Sequence, residues 1–177
     1  MKKTIIPAIR NPELLETACK SNIDTIFLLN TNIISIEKEI ELVHSYGKEL
    51  FVHADFADGI GKDKFGMSYL KKIGVDGVLS TRSTVIKASR EIGLKTVQRI
   101  FVVDTQSIQT AIDSTRTSKP NMIEIMPGIV SKCVEQMCAE CKIPIIAGGL
   151  IADEDEVSAA LSAGAIAVST SNTSLWK

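Results

Sequence analysis

The sequence has little of what would place it in a specialised class of proteins. No apolar run approaches the roughly 20 residues that a helix needs to cross a membrane, and aromatic residues make up only 5% of the chain. The basic start is followed by too short an apolar stretch for a secretion signal. We therefore expect a cytoplasmic protein whose four cysteines are reduced thiols and not a disulfide framework: Cys19, Cys133, Cys138 and Cys141.

Charge and histidine content argue against further classes of protein, namely strongly basic nucleic-acid binders and histidine-based metalloproteins. The 20 basic and 21 acidic side chains give a net charge of −1, so the whole molecule exerts no electrostatic pull on nucleic acid. Any polyanion site must be a local patch, or be assembled by a homo-oligomer. The two histidines, His44 on the outer face of a predicted helix and His53, do not indicate a metal site. Cys138 and Cys141 form a C-x-x-C inside a predicted helix without a second ligand pair, so neither zinc nor redox chemistry is expected.

The chain alternates short β-type runs with segments that carry apolar residues at helical spacing. Eight strands are predicted, at 4–9, 24–29, 49–54, 77–80, 96–103, 122–127, 143–148 and 165–169. Alternating units imply parallel pairing, and eight of them favour an α/β chain closed into one compact TIM-type (β/α)8 barrel over residues 1–177. Only "TSNTSLWK" follows the eighth strand. The last helix is therefore predicted to be missing or rudimentary, with Trp176 or a neighbouring subunit covering the flank.

Polar residues and glycines collect where these strands end, and in this fold the carboxyl ends of the strands converge on one mouth. Gly148 and Gly149 allow the backbone to approach an anion where a Cβ would interfere. Ser169, Thr170 and Ser171 offer hydroxyl and amide donors on the adjacent strand. Together they predict a phosphate site. The alternative is that the glycine pair forms only a tight turn.

Five further polar residues are predicted at the mouth. His53 and Asp55 lie two residues apart on one strand face, where His53 either contacts a ligand or bonds a neighbouring strand. Arg82 suits a phosphate or carboxylate. Arg99 and Glu124, on adjacent strands, are expected to form a buried ion pair, because an unpaired charge inside a barrel would be costly. The segment from 55 to 66, rich in glycine, is predicted to be a mobile loop over the mouth.

Catalytic groups are scarce. No predicted strand body carries a lysine that could form a Schiff base, and no G-x-S-x-G, metal-spaced histidines or facing carboxylate pair is present. We therefore predict no catalytic residue. An enzyme acting on a small phosphorylated metabolite, such as an isomerase, aldolase or phosphodiesterase, stays open as the alternative, with His53, Asp55 or Glu124 as its acid or base.

The same stretches, taken in order, resemble the glycerol-3-phosphate-responsive antiterminators. The matching segments are "PAIRN", "VHADF", "DKFG", "GVLSTRS", "VQRIFVVDT", "IEIMPGI", "IPIIAGGLI" and "AVSTSNTSLW". The resemblance implies a TIM-type barrel that binds glycerol 3-phosphate as its effector, needs no cofactor, and acts on the leader mRNA of glycerol operons so that polymerase reads through a terminator. It also implies that Gly148, Gly149, Thr170 and Ser171 hold the phosphate. The glycerol end would then lie near Asp55, Arg82, Arg99 and Glu124. A sensor that contacts a protein instead of RNA is a third possibility.

Overall fold

A computed structural model describes residues 5–177, except the side chain of Thr105, so Thr4 of the first predicted strand lies outside the described residues. Eight parallel strands form a closed barrel in which each strand pairs with the next and the eighth pairs with the first. This confirms the predicted (β/α)8 class. The strands are β1 Ile5–Ile9, β2 Thr25–Leu28, β3 Glu49–His53, β4 Gly77–Ser80, β5 Lys95–Phe101, β6 Met122–Met126, β7 Ile145–Gly148 and β8 Ala167–Thr170.

Helices connect the strands on the outside of the barrel. They are α1 Leu15–Cys19, α2 Ile36–Ser45, α3 Lys64–Lys72, α4 Ser83–Glu91, α5 Thr105–Ser118, α6 Ser131–Glu140 and α7 Glu154–Ser162. Asp63, Asp104 and Asp153 cap α3, α5 and α7 by accepting hydrogen bonds from N–H groups of the first turn, which have no partner inside the helix. Within residues 5–177, no helix is long and apolar enough to cross a membrane.

The chain closes the last flank of the barrel with its own C-terminal residues. After β8, the predicted rudimentary helix is a single 3₁₀ turn, Thr173–Leu175. Leu175 and Trp176 are both buried, and the Trp176 indole Nε1 donates to the backbone oxygen of Thr170 at 3.0 Å. The expected role of Trp176 as a cover is therefore confirmed.

The segment from 55 to 66 differs from the open loop that its composition predicts. It begins within a 3₁₀ turn, Ala54–Phe56, and continues into Ala57–Asp58, which pairs in parallel with Thr31–Asn32. It ends in the first turn of α3, where a Cβ on Gly66 would meet the backbone oxygen of Gly61 at 1.8 Å. Local backbone pairing and this close approach give the segment a defined course, while its predicted mobility stays a prediction.

The barrel interior has two layers with different chemistry. The apolar layer, toward the amino ends of the strands, contains the packed rings of Phe27 and Phe51, whose centroids are 5.6 Å apart. Ile6, Val97, Ile146 and Ala167 pack around them. Two residues further along β3, β5 and β8, the inward positions carry His53, Arg99 and Ser169, and on β6 Glu124 follows Met122 in the same way. These four side chains form the polar layer. The change from one layer to the other marks the floor of the mouth.

Candidate functional site

The centre of the polar layer is a buried ion pair. Arg99 and Glu124 are register partners on β5 and β6, and the Arg99 Nε lies 2.5 Å from the Glu124 Oε2, with side chains 5% and 1% exposed. The Ser169 hydroxyl donates to the other carboxylate oxygen of Glu124. The predicted pair is thus confirmed, and both oxygens of the buried carboxylate have partners, as burial of a charge requires.

Two of the hydroxyls predicted to hold phosphate have internal partners. Ser169 donates to Glu124, and the Thr170 hydroxyl donates to the backbone oxygen of Ile151 at 2.8 Å. Both side chains are buried, whereas Ser171 is exposed at the mouth. Ser169 and Thr170 therefore shape the site in this structure, and direct phosphate contact by their side chains stays a prediction.

The glycine pair serves two different purposes. At Gly148, a Cβ would meet the Ser169 Oγ at 2.5 Å and the Glu124 Oε1 at 2.6 Å, so this glycine leaves room for the polar layer. Gly149 has a φ of 80°, and a Cβ there would meet the Met126 Cε at 2.8 Å. The next residue, Leu150, also has a positive φ, 62°, an uncommon conformation for a residue with a side chain. Such conformations concentrate at binding sites.

A cavity of about 430 Å³ opens beside Gly149, while Gly148 is not one of its lining residues. No hydrogen bond within residues 5–177 uses the backbone N–H of Gly149 or of Ser171. Arginine guanidinium groups and free backbone N–H groups are the donors that phosphate oxygens prefer. The cavity is lined by the side chains or backbone of Ala8, Arg10, Leu29, Arg99, Glu124, Met126, Gly149, Leu150, Ile151, Ala152, Ser169, Thr170, Ser171 and Asn172.

Asp55 and Arg82 do not line this cavity. β3 ends at His53, so Asp55 lies in the following 3₁₀ turn and not on the strand face that the sequence predicts. It accepts hydrogen bonds from the Ser80 hydroxyl at 2.7 Å and from the Thr81 N–H at 2.8 Å. Burial raises the pKa of Asp55, but these bonds outweigh it, and the pKa lies below its usual value. Arg82 lies 3.7 Å from the carboxylate and is 59% exposed.

His53 is buried without a partner. Its side chain is 1% exposed, and neither ring nitrogen makes a hydrogen bond within the described chain, so the predicted bond to a neighbouring strand is not formed. The ring packs against Phe56, with centroids 4.8 Å apart. Burial and the positive charge of Arg99 lower the pKa of His53 to about 4, against the opposing effect of Asp55. A neutral imidazole with two unused polar atoms fits a ligand contact.

The remaining histidine and the cysteines lie elsewhere. His44 is on the outer surface of α2, as predicted, and its Nε2 lies 2.9 Å from the Asp76 Oδ2. Cys133 and Cys138 lie in α6, with Cys141 one residue past its end, and burial raises the pKa of Cys138. Among residues 5–177, no group of three His, Cys, Asp or Glu side chains could hold a metal ion.

Sequence reasoning missed the strained Leu150 and the interaction of Asp55 with Thr81. Positive φ is visible in a sequence only when the residue is glycine, asparagine or aspartate. The Thr81 contacts depend on how the turn after β3 leans against β4, a feature that local pattern does not encode. The serine and threonine in "STRS" were the available signal, because both can serve as donors to a carboxylate.

Comparison with known proteins gives a consistent result. A family model described as "Glycerol-3-phosphate responsive antiterminator" matches residues 5–176. The Escherichia coli protein YgcP, described as uncharacterized, is 32% identical over 173 residues, covering 97% of this chain and 91% of that protein. A glycerol uptake operon antiterminator regulatory protein from Listeria monocytogenes superimposes with a TM-score of 0.94 at 30% identity, covering 99% and 96% of the two chains.

Two further solved structures extend the comparison. A glycerol uptake operon antiterminator-related protein from Thermotoga maritima has a TM-score of 0.88 at 27% identity and covers 99% of each chain. Orotidine 5'-phosphate decarboxylase from Pyrococcus horikoshii has a TM-score of 0.71 at 16% identity, covering 94% of this chain and 88% of the enzyme. The second likeness concerns the barrel fold alone.

Proposed function

Because the chain belongs to the glycerol-3-phosphate responsive antiterminator family, we propose that it senses glycerol 3-phosphate and then binds the leader mRNA of glycerol-utilisation operons. In the bound state it would allow polymerase to read through a terminator. Such a regulator would work in the cytoplasm without a cofactor, and a homo-oligomer stays a prediction. The observation that carries the effector half of this proposal is the cavity of about 430 Å³ at the mouth.

The cavity suits a small phosphorylated ligand for three reasons. Arg10 and Arg99 are lining residues of the cavity, and guanidinium groups suit phosphate oxygens. The ion pair with Glu124 uses the Nε of Arg99, and its other N–H groups could bond a ligand. Gly149 and Ser171 add backbone N–H groups. His53 is not one of the lining residues, but if the glycerol end reached it, a ligand hydroxyl could bond its ring nitrogens.

The state of the carboxylates favours binding over catalysis. Glu124 is held by Arg99 and Ser169, and Asp55 is held by Ser80 and Thr81. A general acid or base needs a proton position open to the substrate, and the carboxylate oxygens of both residues already accept hydrogen bonds from the protein. Turnover of a triose or glycerol phosphate that is abolished by Asp55→Asn would favour the enzyme instead.

Calorimetric titration with glycerol 3-phosphate tests the effector half. We expect binding of glycerol 3-phosphate, weaker binding of inorganic phosphate and none of glycerol, because the phosphate group makes the charged contacts. Gel shifts of a leader RNA with and without glycerol 3-phosphate, at several salt concentrations, test the RNA-binding half of the proposal. Effector binding without any RNA shift would leave a sensor that contacts a protein, and absence of effector binding would refute the proposal.

The effector also has to reach His53, which Phe56 covers. We therefore propose that ligand entry moves Phe56 and changes the backbone from 55 to 66, shifting the population toward an RNA-competent state. Hydrogen exchange measures this directly. Equal protection of the segment with and without glycerol 3-phosphate would refute the gating step while leaving effector binding intact.

A further inference from the structure

The exposed large apolar side chains of the described residues are concentrated on one face. Nine of them lie at or after the carboxyl ends of strands: Ile33, Ile34, Phe56, Phe65, Phe101, Val103, Ile129, Val130 and Leu150. Within residues 5–177, the other two, Tyr46 and Ile166, lie at the opposite end of the barrel. Single exposed apolar residues are ordinary on a protein surface, but their collection around one opening indicates an interaction site.

The exposed residues around the mouth of the barrel, here called the rim, differ in composition from one side of the barrel to the other. After β3 it carries Phe56 and Phe65, and at the end of β5 it carries Phe101; they are 58%, 72% and 56% exposed. Two basic side chains stand among them. The Lys64 Nζ lies 4.9 Å from the centroid of the Phe65 ring, and Arg82 is 59% exposed. We call these five residues the aromatic-basic sector.

The other side of the rim has a different character. There the exposed apolar residues are aliphatic, and the first turn of α7 is acidic through Glu154, Asp155 and Glu156. The segments of the aromatic-basic sector also carry acidic residues, since Asp58, Asp63 and Asp104 are exposed there and Arg82 lies 3.7 Å from the Asp55 carboxylate. The sector therefore has mixed charge, and its three aromatic rings are what distinguish it from the α7 side.

A second cavity, of about 460 Å³, lies next to Phe101 between β5 and α5. Its lining residues include the aromatic Phe101 and the polar Asp104, Gln106 and Thr110. A stacked base with hydrogen-bonding edges needs this combination. Arg99 is a lining residue of both this cavity and the effector cavity.

We propose that single-stranded RNA docks on the aromatic-basic sector, with bases stacked on the three phenylalanines and phosphates beside Lys64 and Arg82. One base enters the cavity next to Phe101. This inference rests on the proposed function, whose RNA contact surface it identifies. Base stacking on exposed aromatic rings supplies affinity without a strongly basic protein, which fits a chain with a net charge of −1.

The test uses the full chain and an RNA selected on it from a randomised pool in the presence of glycerol 3-phosphate. Fluorescence anisotropy of this labelled RNA is measured on Phe65→Ala, Phe101→Ala and Lys64→Glu. We expect each phenylalanine variant to bind roughly ten-fold more weakly. The lysine variant should also reduce the salt dependence by about one phosphate contact.

Matched controls come from outside the sector. Ile34→Ala removes an 87% exposed apolar side chain elsewhere on the rim, and Lys142→Glu reverses an exposed charge before β7. Both should bind the RNA like the unmodified protein. All variants should keep their thermal midpoint and their calorimetric affinity for glycerol 3-phosphate, because none alters the effector cavity.

Crosslinking of a 4-thiouridine form of the same RNA provides a second measurement. Crosslinked peptides that include residues 56–65 or 101–110 would support the proposal. Normal RNA affinity in the sector variants, with crosslinks elsewhere, would overturn this surface and leave the proposed function standing. If no RNA is recovered although the effector binds, both the surface and the RNA half fail. A doubled molar mass without RNA binding would instead assign the rim to a second copy of the chain.

Discussion

The two interior layers of the barrel differ in what their burial achieves. In the apolar layer, Phe27 and Phe51 are 0% and 1% exposed and need no partner beyond close packing. In the polar layer, Glu124 is equally buried but needs Arg99 and Ser169 to satisfy its oxygens. Among residues 5–177, no group makes such a bond with the ring nitrogens of His53 in the same layer. The apolar layer thus contributes stability, while the polar layer retains unsatisfied hydrogen-bonding groups that a ligand can use.

The largest expected effect comes from breaking the ion pair. Glu124→Ala should lower the free energy of unfolding by about 3–5 kcal/mol, because it leaves Arg99 charged and unpaired. Phe51→Ala should lower the free energy of unfolding by a similar amount, because it opens a cavity in the apolar layer. Guanidinium denaturation measures both.

The double variant Arg99→Met with Glu124→Leu separates the two layers further. It should recover most of the lost stability, since apolar residues often replace a buried ion pair without cost, yet it should not bind glycerol 3-phosphate. A loss below about 1 kcal/mol in Glu124→Ala would show that the pair is not as desolvated as its burial indicates.

The next largest effect is on the pH dependence of stability. His53 has a pKa of about 4 in the folded chain against an ordinary value of 6.5, so the unfolded chain takes up the proton first. The stabilisation that neutral His53 contributes is complete above about pH 6.5. As the pH falls toward 4 it is lost, which lowers the free energy of unfolding by roughly 3 kcal/mol. Arg99, Arg10 and Asp55 are the charged groups around it.

Urea denaturation from pH 7 to pH 4 measures how steeply the free energy of unfolding changes with pH. His53→Phe is the comparison variant, because it lacks the titrating imidazole. The lowered pKa of Asp55 acts in the same direction but at lower pH, below the ordinary value of 3.8. Equal slopes in the two proteins between pH 6.5 and 4.5 would contradict the assignment to His53.

A smaller effect is expected at the rim of the polar layer. Arg10→Ala should weaken glycerol 3-phosphate binding about ten-fold or more, because a charged hydrogen bond to phosphate is lost. Its stability should change by no more than about 0.5 kcal/mol, since Arg10 is exposed. Arg90→Ala, an exposed arginine in the last turn of α4, is the matched control. Equal calorimetric affinities would show that Arg10 does not bind the ligand.

The smallest effect is predicted for the cysteines outside the barrel. Cys141→Ser should change the free energy of unfolding by less than about 0.5 kcal/mol and leave ligand affinity unchanged, because Cys141 lies beyond the end of α6 and is only partly buried. A marked loss of ligand affinity would reveal a connection between α6 and the mouth that the contacts do not predict.

The sequence predicted where several candidate residues lie, because this fold places the residues that follow each strand in order around the mouth. Gly149 and Ser171 follow β7 and β8, and the Arg99–Glu124 pair follows from strand positions on neighbouring strands. The position of Asp55 was predicted less well, because the chain turns after His53 and no strand periodicity applies there. The partner of Ser169 lies 45 residues away in the chain, beyond any local pattern.

The sequence by itself determined the eight alternating units, the buried ion pair and the cover provided by Trp176, because hydrophobic periodicity and strand order depend on local residues. Tertiary structure alone decided which hydroxyls bond Glu124, why His53 has none of its ring nitrogens satisfied, and where the aromatic rings gather. Those features depend on distances across the barrel, and such distances exist only once the eighth strand has closed on the first.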